Sequence, residues 1–246
     1  MMWLVRSGTL NDLNQILNDL FNMKDEGTLK RLSKQPKPFQ YIGIKMGDLR
    51  QYASKLPKNN ALAMALFDLN YYESMLLATM IVDPKTYDQS RLLDWCLKAH
   101  SSPIIDQGIS NFFFELKDYS ILLTDLSKST DEHLAYACFA LLSSYFRTAP
   151  LNEIDISLSI LLLNRIRETI QTQPLTIQNA MNNAVVMAGL HVPDLVSLSI
   201  EVADHIGYVM PLVDRNSCNI QSASDYLIRY GDNPKYSRVA KLKQSE

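Results

Sequence analysis

The sequence predicts an all-α fold built from helix pairs, either stacked as an α-solenoid or gathered as an irregular helical bundle. Three observations carry this. Glycine is scarce, eight in 246 residues, and few stretches alternate strictly between apolar and polar, so strands find little support. Apolar residues recur at three-and-four spacing: Leu10, Leu13, Ile16, Leu17, Leu20 and Phe21 form one face of an amphipathic helix. The starts of successive helix pairs lie roughly 35–45 residues apart, the interval two-helix solenoid repeats use.

In chain order, the first helix opens at Thr9 and Gly27 interrupts it. Leu29–Leu32 is a short helical piece that Gln35-Pro36-Lys37-Pro38 ends, because each proline disfavours helix in the residue before it. Phe39–Ile44 reads as a brief extended connector, and Asp48 is placed to cap a helix through Leu56. Asn59 or Asn60 caps a helix over Ala61–Leu69, and Tyr72–Ile81 is its partner. Asp83-Pro84 stops that pair, and Asp88 or Ser90 opens a helix to Ala99. Ser101-Ser102-Pro103 looks like an N-cap with proline in the first turn, opening a helix to Phe114 or Glu115. Tyr119–Leu126 and Asp131–Phe146 form the next pair, closed by Pro150. Ile154–Thr169 with Thr176–Leu190, then Pro193–His205, complete the pattern, with Thr176 and Asp194 capping or charging the starts. Residues 1–230 read as a single domain and 231–246 as a polar, mildly basic, mobile tail.

Hydrophobic residues make up 47% and charged residues 20%, ordinary for a soluble globular chain and too apolar for disorder. The opening run Met1-Met-Trp-Leu-Val-Arg6 is too short for a signal peptide, and no stretch reaches 18 uninterrupted apolar residues, so a cytoplasmic, non-membrane protein is expected. Cys96, Cys138 and Cys218 contain no CxxC pair and read as buried free thiols. His100, His133, His191 and His205 lack metal-ligand spacing and read as surface or helix-end residues, so neither a metal nor a cofactor is expected. Phe112-Phe113-Phe114 reads as core, since consecutive aromatics point around a helix in different directions. Arg165 and Arg167 read as solvated. A net charge of −2 does not advertise a strong generic DNA binder, so any contact would depend on cations gathered on one face.

The central stretch carries a resemblance. Leu66-Phe67, Glu73-Ser74-Met75-Leu76-Leu77-Ala78, Asp83-Pro84 and Ser101-Ser102-Pro103-Ile104-Ile105-Asp106 follow one another in that order. The order resembles the AlkD-like DNA alkylation repair family, which tends to read Leu-Trp, Glu-x-Arg-x-Leu-Ala, Asp-Pro and Ser-Trp-Asp-x-x-Asp. Met46-Gly47-Asp48-Leu49-Arg50 resembles the family's entry motif, and Val213 to Arg229 its closing segment, so the likeness spans about Tyr41 to Tyr230. The resemblance selects the solenoid: HEAT-like antiparallel helix pairs forming a curved, concave DNA-binding surface.

It also implies a site. Active members hold a cationic N-alkylated purine with two tryptophans, an aspartate and an arginine. Aromatic faces attract the cation, a carboxylate stabilises the positive sugar left by glycosidic cleavage, and arginine anchors a phosphate. Asp106 falls at the catalytic aspartate. Ser102 stands where the motif has tryptophan, Ala135-Tyr136-Ala137 where the family has Lys-Arg-Ala, and Asn183 near the later tryptophan. The resemblance therefore implies Asp106 as catalytic residue and Ser102, Tyr136 and Asn183 as nucleic-acid contacts on one cleft. Asn182 and Asn183 read from the residues alone as exposed polar positions, and Glu73 as a structural group pairing with Arg50. Three functions stay open: a monomeric DNA-binding family member with modest affinity for duplex or distorted DNA and weak or no glycosylase activity, a working alkylpurine glycosylase acting through Asp106, and a helical-repeat scaffold gripping a protein partner.

Overall fold

The computed structural model describes residues 7–34, 37–86, 89–99, 102–116, 119–209 and 222–245. Every regular element among them is helical; extended pairing is confined to two isolated bridges, Gln40 with Tyr71 and Tyr208 with Ser222. Gln35-Pro36, Asp88, His100, Ser101, Cys218 and most of the closing segment from Val213 lie outside the described residues. No helix among the described residues is long and apolar enough to cross a membrane. The chain divides into two compact units, Met1–Lys117 and Asp118–Glu246.

The first unit holds α1 (Ser7–Asn22), α2 (Glu26–Leu32), α3 (Met46–Ala53), α4 (Asn60–Asp68), α5 (Tyr72–Ile81), α6 (Gln89–Ala99) and α7 (Ser102–Gln107). Its axis is α5, buried at every position from Tyr72 to Thr79 and packed against α1, α3, α4 and α7. A helix apolar nearly all round must be wrapped, and this one is. Asn59 caps α4, its Oδ1 accepting from the Leu62 N–H at 3.0 Å. Asn70 turns the chain into α5 at φ 59°, a left-handed conformation asparagine tolerates, and its Nδ2 donates to the Pro38 carbonyl at 2.9 Å.

Two sequence expectations are corrected in this unit. Glu73 does not pair with Arg50. It is 1% exposed, and its carboxylate accepts the backbone N–H groups of Ile42, Gly43 and Ile44 at 2.9, 2.8 and 3.1 Å, pinning the extended connector to α5. The helix opened at Ser102 does not run to Glu115. It ends at Gln107, and 3-10 turns at Ile109–Asn111 and Phe113–Glu115 follow. Gly108 follows the helix end in a tight place, where a Cβ would lie 2.6 Å from Thr79 Oγ1 and 2.7 Å from the Ile104 carbonyl. Phe112 and Phe113 are buried as core.

The second unit holds α8 (Tyr119–Lys128), α9 (Glu132–Thr148), α10 (Ile156–Thr169), α11 (Leu175–His191), α12 (Val196–Ile206), α13 (Ala223–Tyr230) and α14 (Arg238–Lys243). Here α11 is the centre, touching α9, α10, α12, α13 and α14. Asp131 caps α9 by accepting from the N–H groups of His133 and Leu134, and Asp155 caps α10 by accepting from that of Leu158. Each such cap contributes about 0.5–2 kcal/mol. The C-terminal segment read as a mobile polar tail is instead anchored through residue 245. Val239 and Ala240 are buried, and Arg238 donates from Nε to the His191 carbonyl at 2.8 Å, from Nη1 to Ala149 at 2.8 Å and from Nη2 to Phe146 at 2.7 Å. These carbonyls end α9 and α11, where no intrahelical donor reaches, so one guanidinium closes both helices. Cys96 and Cys138 are free and buried, and burial pushes both thiols up to about 12.

Candidate functional site

Ser102 and Asp106 stand four residues apart on α7 and so share one face of that helix. Ile104 and Ile105, 0% and 1% exposed, seat α7 in the core, which leaves the Asp106 carboxylate exposed and Ser102 half-buried. The Ser110 hydroxyl donates to the Asp106 carbonyl at 2.6 Å and ties off the helix end. An anion in the last turn faces the negative end of the helix dipole, so the dipole does not favour aspartate there. Ser102 offers a hydroxyl and no π-face.

The same unit supplies neighbours that the motif reading missed. Phe39 and Tyr72 stack with ring centroids 5.9 Å apart, and Tyr41 lies 5.5 Å from Tyr72. Burial pushes the Tyr72 phenol up to about 12, with Glu73 and Tyr41 adding to the rise, Arg31 opposing it and Asp106 raising it further. Arg31 and Asp106 thus both act on Tyr72. The signal for Phe39, Tyr41 and Tyr72 was an aromatic cluster spread over two segments, brought together when Tyr72 N–H donates to the Gln40 carbonyl at 2.8 Å.

Tyr136 and Asn183 lie on α9 and α11, the most extensively packed helix pair of the second unit. Tyr136 is buried at 8% exposure and carries no charge. Asn183 is half-buried; its Oδ1 and that of Asn179, one turn away, are sealed from solvent without a hydrogen bond inside the protein. Asn182 is 0% exposed, which corrects the expectation of a surface pair. Of the arginines expected to be solvated, Arg167 is bonded to Glu201 at 2.8 Å, and Arg165 lies over the Phe139 ring at 5.9 Å. His191 is likewise not a plain surface histidine: burial, then Arg238 and Arg147, depress its pKa to about 4.

A groove of about 460 Å³ runs between α11, α12, α13 and α14, lined by Val196, Ile200, Leu227 and Ile228 with Asp204 and Asp232. Among the described residues Lys243 is the one cation of its lining, so its balance suits a phosphate poorly, and none of the described motif residues line it. Among the described residues, no group of three His, Cys, Asp or Glu side chains could hold a metal ion.

Comparisons with known proteins bear on the family and the fold. The family described as DNA alkylation repair enzyme matches residues 13–219. An uncharacterized protein of Listeria innocua is 22% identical over 219 residues, covering 87% of this chain and 95% of its own. A second, from Listeria monocytogenes, is 22% identical over 220 residues with the same coverage. One solved structure, from "a new family of proteins related to the HEAT-like repeat DNA glycosylases with affinity for branched DNA structures", has a TM-score of 0.81. It is 21% identical and covers 92% of this chain and 97% of its own, which makes the fold here a HEAT-like repeat fold.

Proposed function

The chain belongs to the DNA alkylation repair enzyme family, and from that premise we propose that it is a DNA-binding member with weak or no N-alkylpurine glycosylase activity. The observation that carries this is the chemistry at the motif positions. Asp106 is present and exposed, but Ser102 replaces an aromatic wall and the buried, uncharged Tyr136 replaces a phosphate-anchoring cation. A cation–π contact contributes about 0.5–2 kcal/mol and a stacked base about 1–3 kcal/mol. With each 1.36 kcal/mol worth about tenfold in rate, losing such contacts lowers base release by orders of magnitude. Asp106 retains the ability to stabilise a positive sugar, which supports a trace of activity rather than none.

The structural relative's affinity for branched DNA supports a preference for distorted over regular duplex, and the proposed reading is of a monomer acting in the cytoplasm. The family match runs through residues of both units, in line with 1–230 acting as one functional domain. The deciding measurement is release of free 3-methyladenine and 7-methylguanine from alkylated DNA, with Asp106→Asn as the control. Little or no release together with a salt-sensitive DNA shift is the expected result. Robust release that vanishes in Asp106→Asn establishes a working glycosylase instead. Absence of any DNA shift at low salt favours a protein-binding scaffold.

A further inference from the structure

We propose that the basic turn at the end of α2, formed by Lys30, Arg31 and Lys34, seats the phosphodiester backbone of DNA beside the aromatic cluster at the start of α5. This rests on the DNA-binding reading above. Between Glu26 and Asp48 the chain carries no Asp or Glu, but five cations: Lys30, Arg31, Lys34, Lys37 and Lys45. Lys45 is committed to Asp25 at 2.9 Å. Lys30, Arg31 and Lys34 are exposed and have no carboxylate partner among the described residues.

Helix stability alone does not account for them. Cations in a last turn favour the helix dipole, which suits Lys30 and Arg31. Lys34 lies beyond the end of α2, so three cations crowd into five residues and repel one another. A polyanion relieves that repulsion and gains from counterion release.

Position follows from hard contacts within the first unit. The Asp25 N–H donates to the Gly43 carbonyl at 2.8 Å, and Gly43, at φ 92°, passes so close to α2 that a Cβ would meet Leu29 Cβ at 2.5 Å. Glu73 grips the N–H groups of residues 42–44, and the adjacent Tyr72 carries the aromatic cluster. The basic turn is thereby fixed to the start of α5 and its aromatic cluster.

The test is the salt dependence of binding of the full chain to a fluorescein-labelled DNA duplex, read by anisotropy across a potassium chloride series. The slope of log K against log salt is expected to shrink by about 2.7 in Lys30→Gln/Arg31→Gln/Lys34→Gln, about 0.9 for each lost phosphate contact. Arg31→Gln alone should account for about 0.9. The equal-charge control Lys235→Gln/Lys241→Gln/Lys243→Gln should shift the slope by much less, with the melting temperature of every variant near that of the parent. A parent that binds DNA while the two triple variants change the slope equally, or the first not at all, overturns this proposal and leaves the DNA-binding reading standing. A parent that fails to bind at low salt overturns both.

Discussion

The two units solve one problem with opposite charges. In the first, an anion collects backbone donors: Glu73 accepts three N–H groups of the connector. In the second, a cation collects backbone acceptors: Arg238 donates to three carbonyls at the ends of α9 and α11. Their charge balances differ as well. Met1–Lys117 carries 14 Lys and Arg against 12 Asp and Glu, net +2, whereas Asp118–Glu246 carries 10 against 14, net −4. The contrast teaches that an overall charge of −2 hides a basic unit, and the exposed Lys30, Arg31 and Lys34 belong to it. It also sets an order of stability effects, because Glu73 is sealed from water and Arg238 is only half-buried.

The largest effect is expected at Glu73. Glu73→Ala strands three buried N–H groups, each costing about 1–3 kcal/mol when unmade, so a loss of at least about 3 kcal/mol is expected in urea unfolding. Glu73→Gln keeps one acceptor oxygen and should cost about half as much. A loss under 1 kcal/mol for the alanine variant would break the comparison at its root.

That prediction also marks how far the sequence could be read. The helical class, the α5 boundaries, the Asn59 cap and the pairing of Ser102 with Asp106 on one helix were all legible, since they follow from local pattern. The role of Glu73 was legible as structural but assigned to the wrong partner, because its true partners are backbone groups that no residue letter displays. Asn182 was misread for a different reason. Three-and-four logic assumes one buried face, whereas α11 is surrounded by five helices and buries ten of its residues. Gly108, just after the break at Gln107, packs against Thr79, 29 positions away in sequence, a contact that local pattern does not display. The aromatic cluster of Phe39, Tyr41 and Tyr72 was missed on the same ground, since its members come from two separate segments.

Arg238 should rank second. Arg238→Ala removes three charge-assisted bonds, but helix-end carbonyls at a half-buried position can recruit water, so about 2–3 kcal/mol is expected. Arg238→Lys restores one donor direction and should recover about 1 kcal/mol. Thermal unfolding of both variants measures this. If truncating the chain after Tyr236 costs no more than Arg238→Ala, the guanidinium rather than the packing of Val239 and Ala240 is what holds α14.

The smallest effect separates the units by pH. His191 has its pKa depressed to about 4 from an ordinary 6.5, by burial first and then by Arg238 and Arg147. Between those values the unfolded chain binds the proton and the folded chain does not, so stability is full above about pH 6.5 and declines as pH falls toward about 4. In the first unit, Asp25 is held down at about 2 by the hydrogen bond from Lys45 and by the Thr28 N–H. Its contribution is present above an ordinary carboxylate value of 3.8 and fades only as pH falls through about 2. The second unit should therefore be first to lose stability in mild acid. Comparing the parent with His191→Gln across pH 4 to 6.5 isolates the imidazole, because the other titrating carboxylates are common to both. The glutamine variant is expected to show a flatter curve there, with the two converging on its acid side. Parallel curves through that window would mean that His191 is protonated in the folded state and that burial at the end of α11 does not exclude its charge.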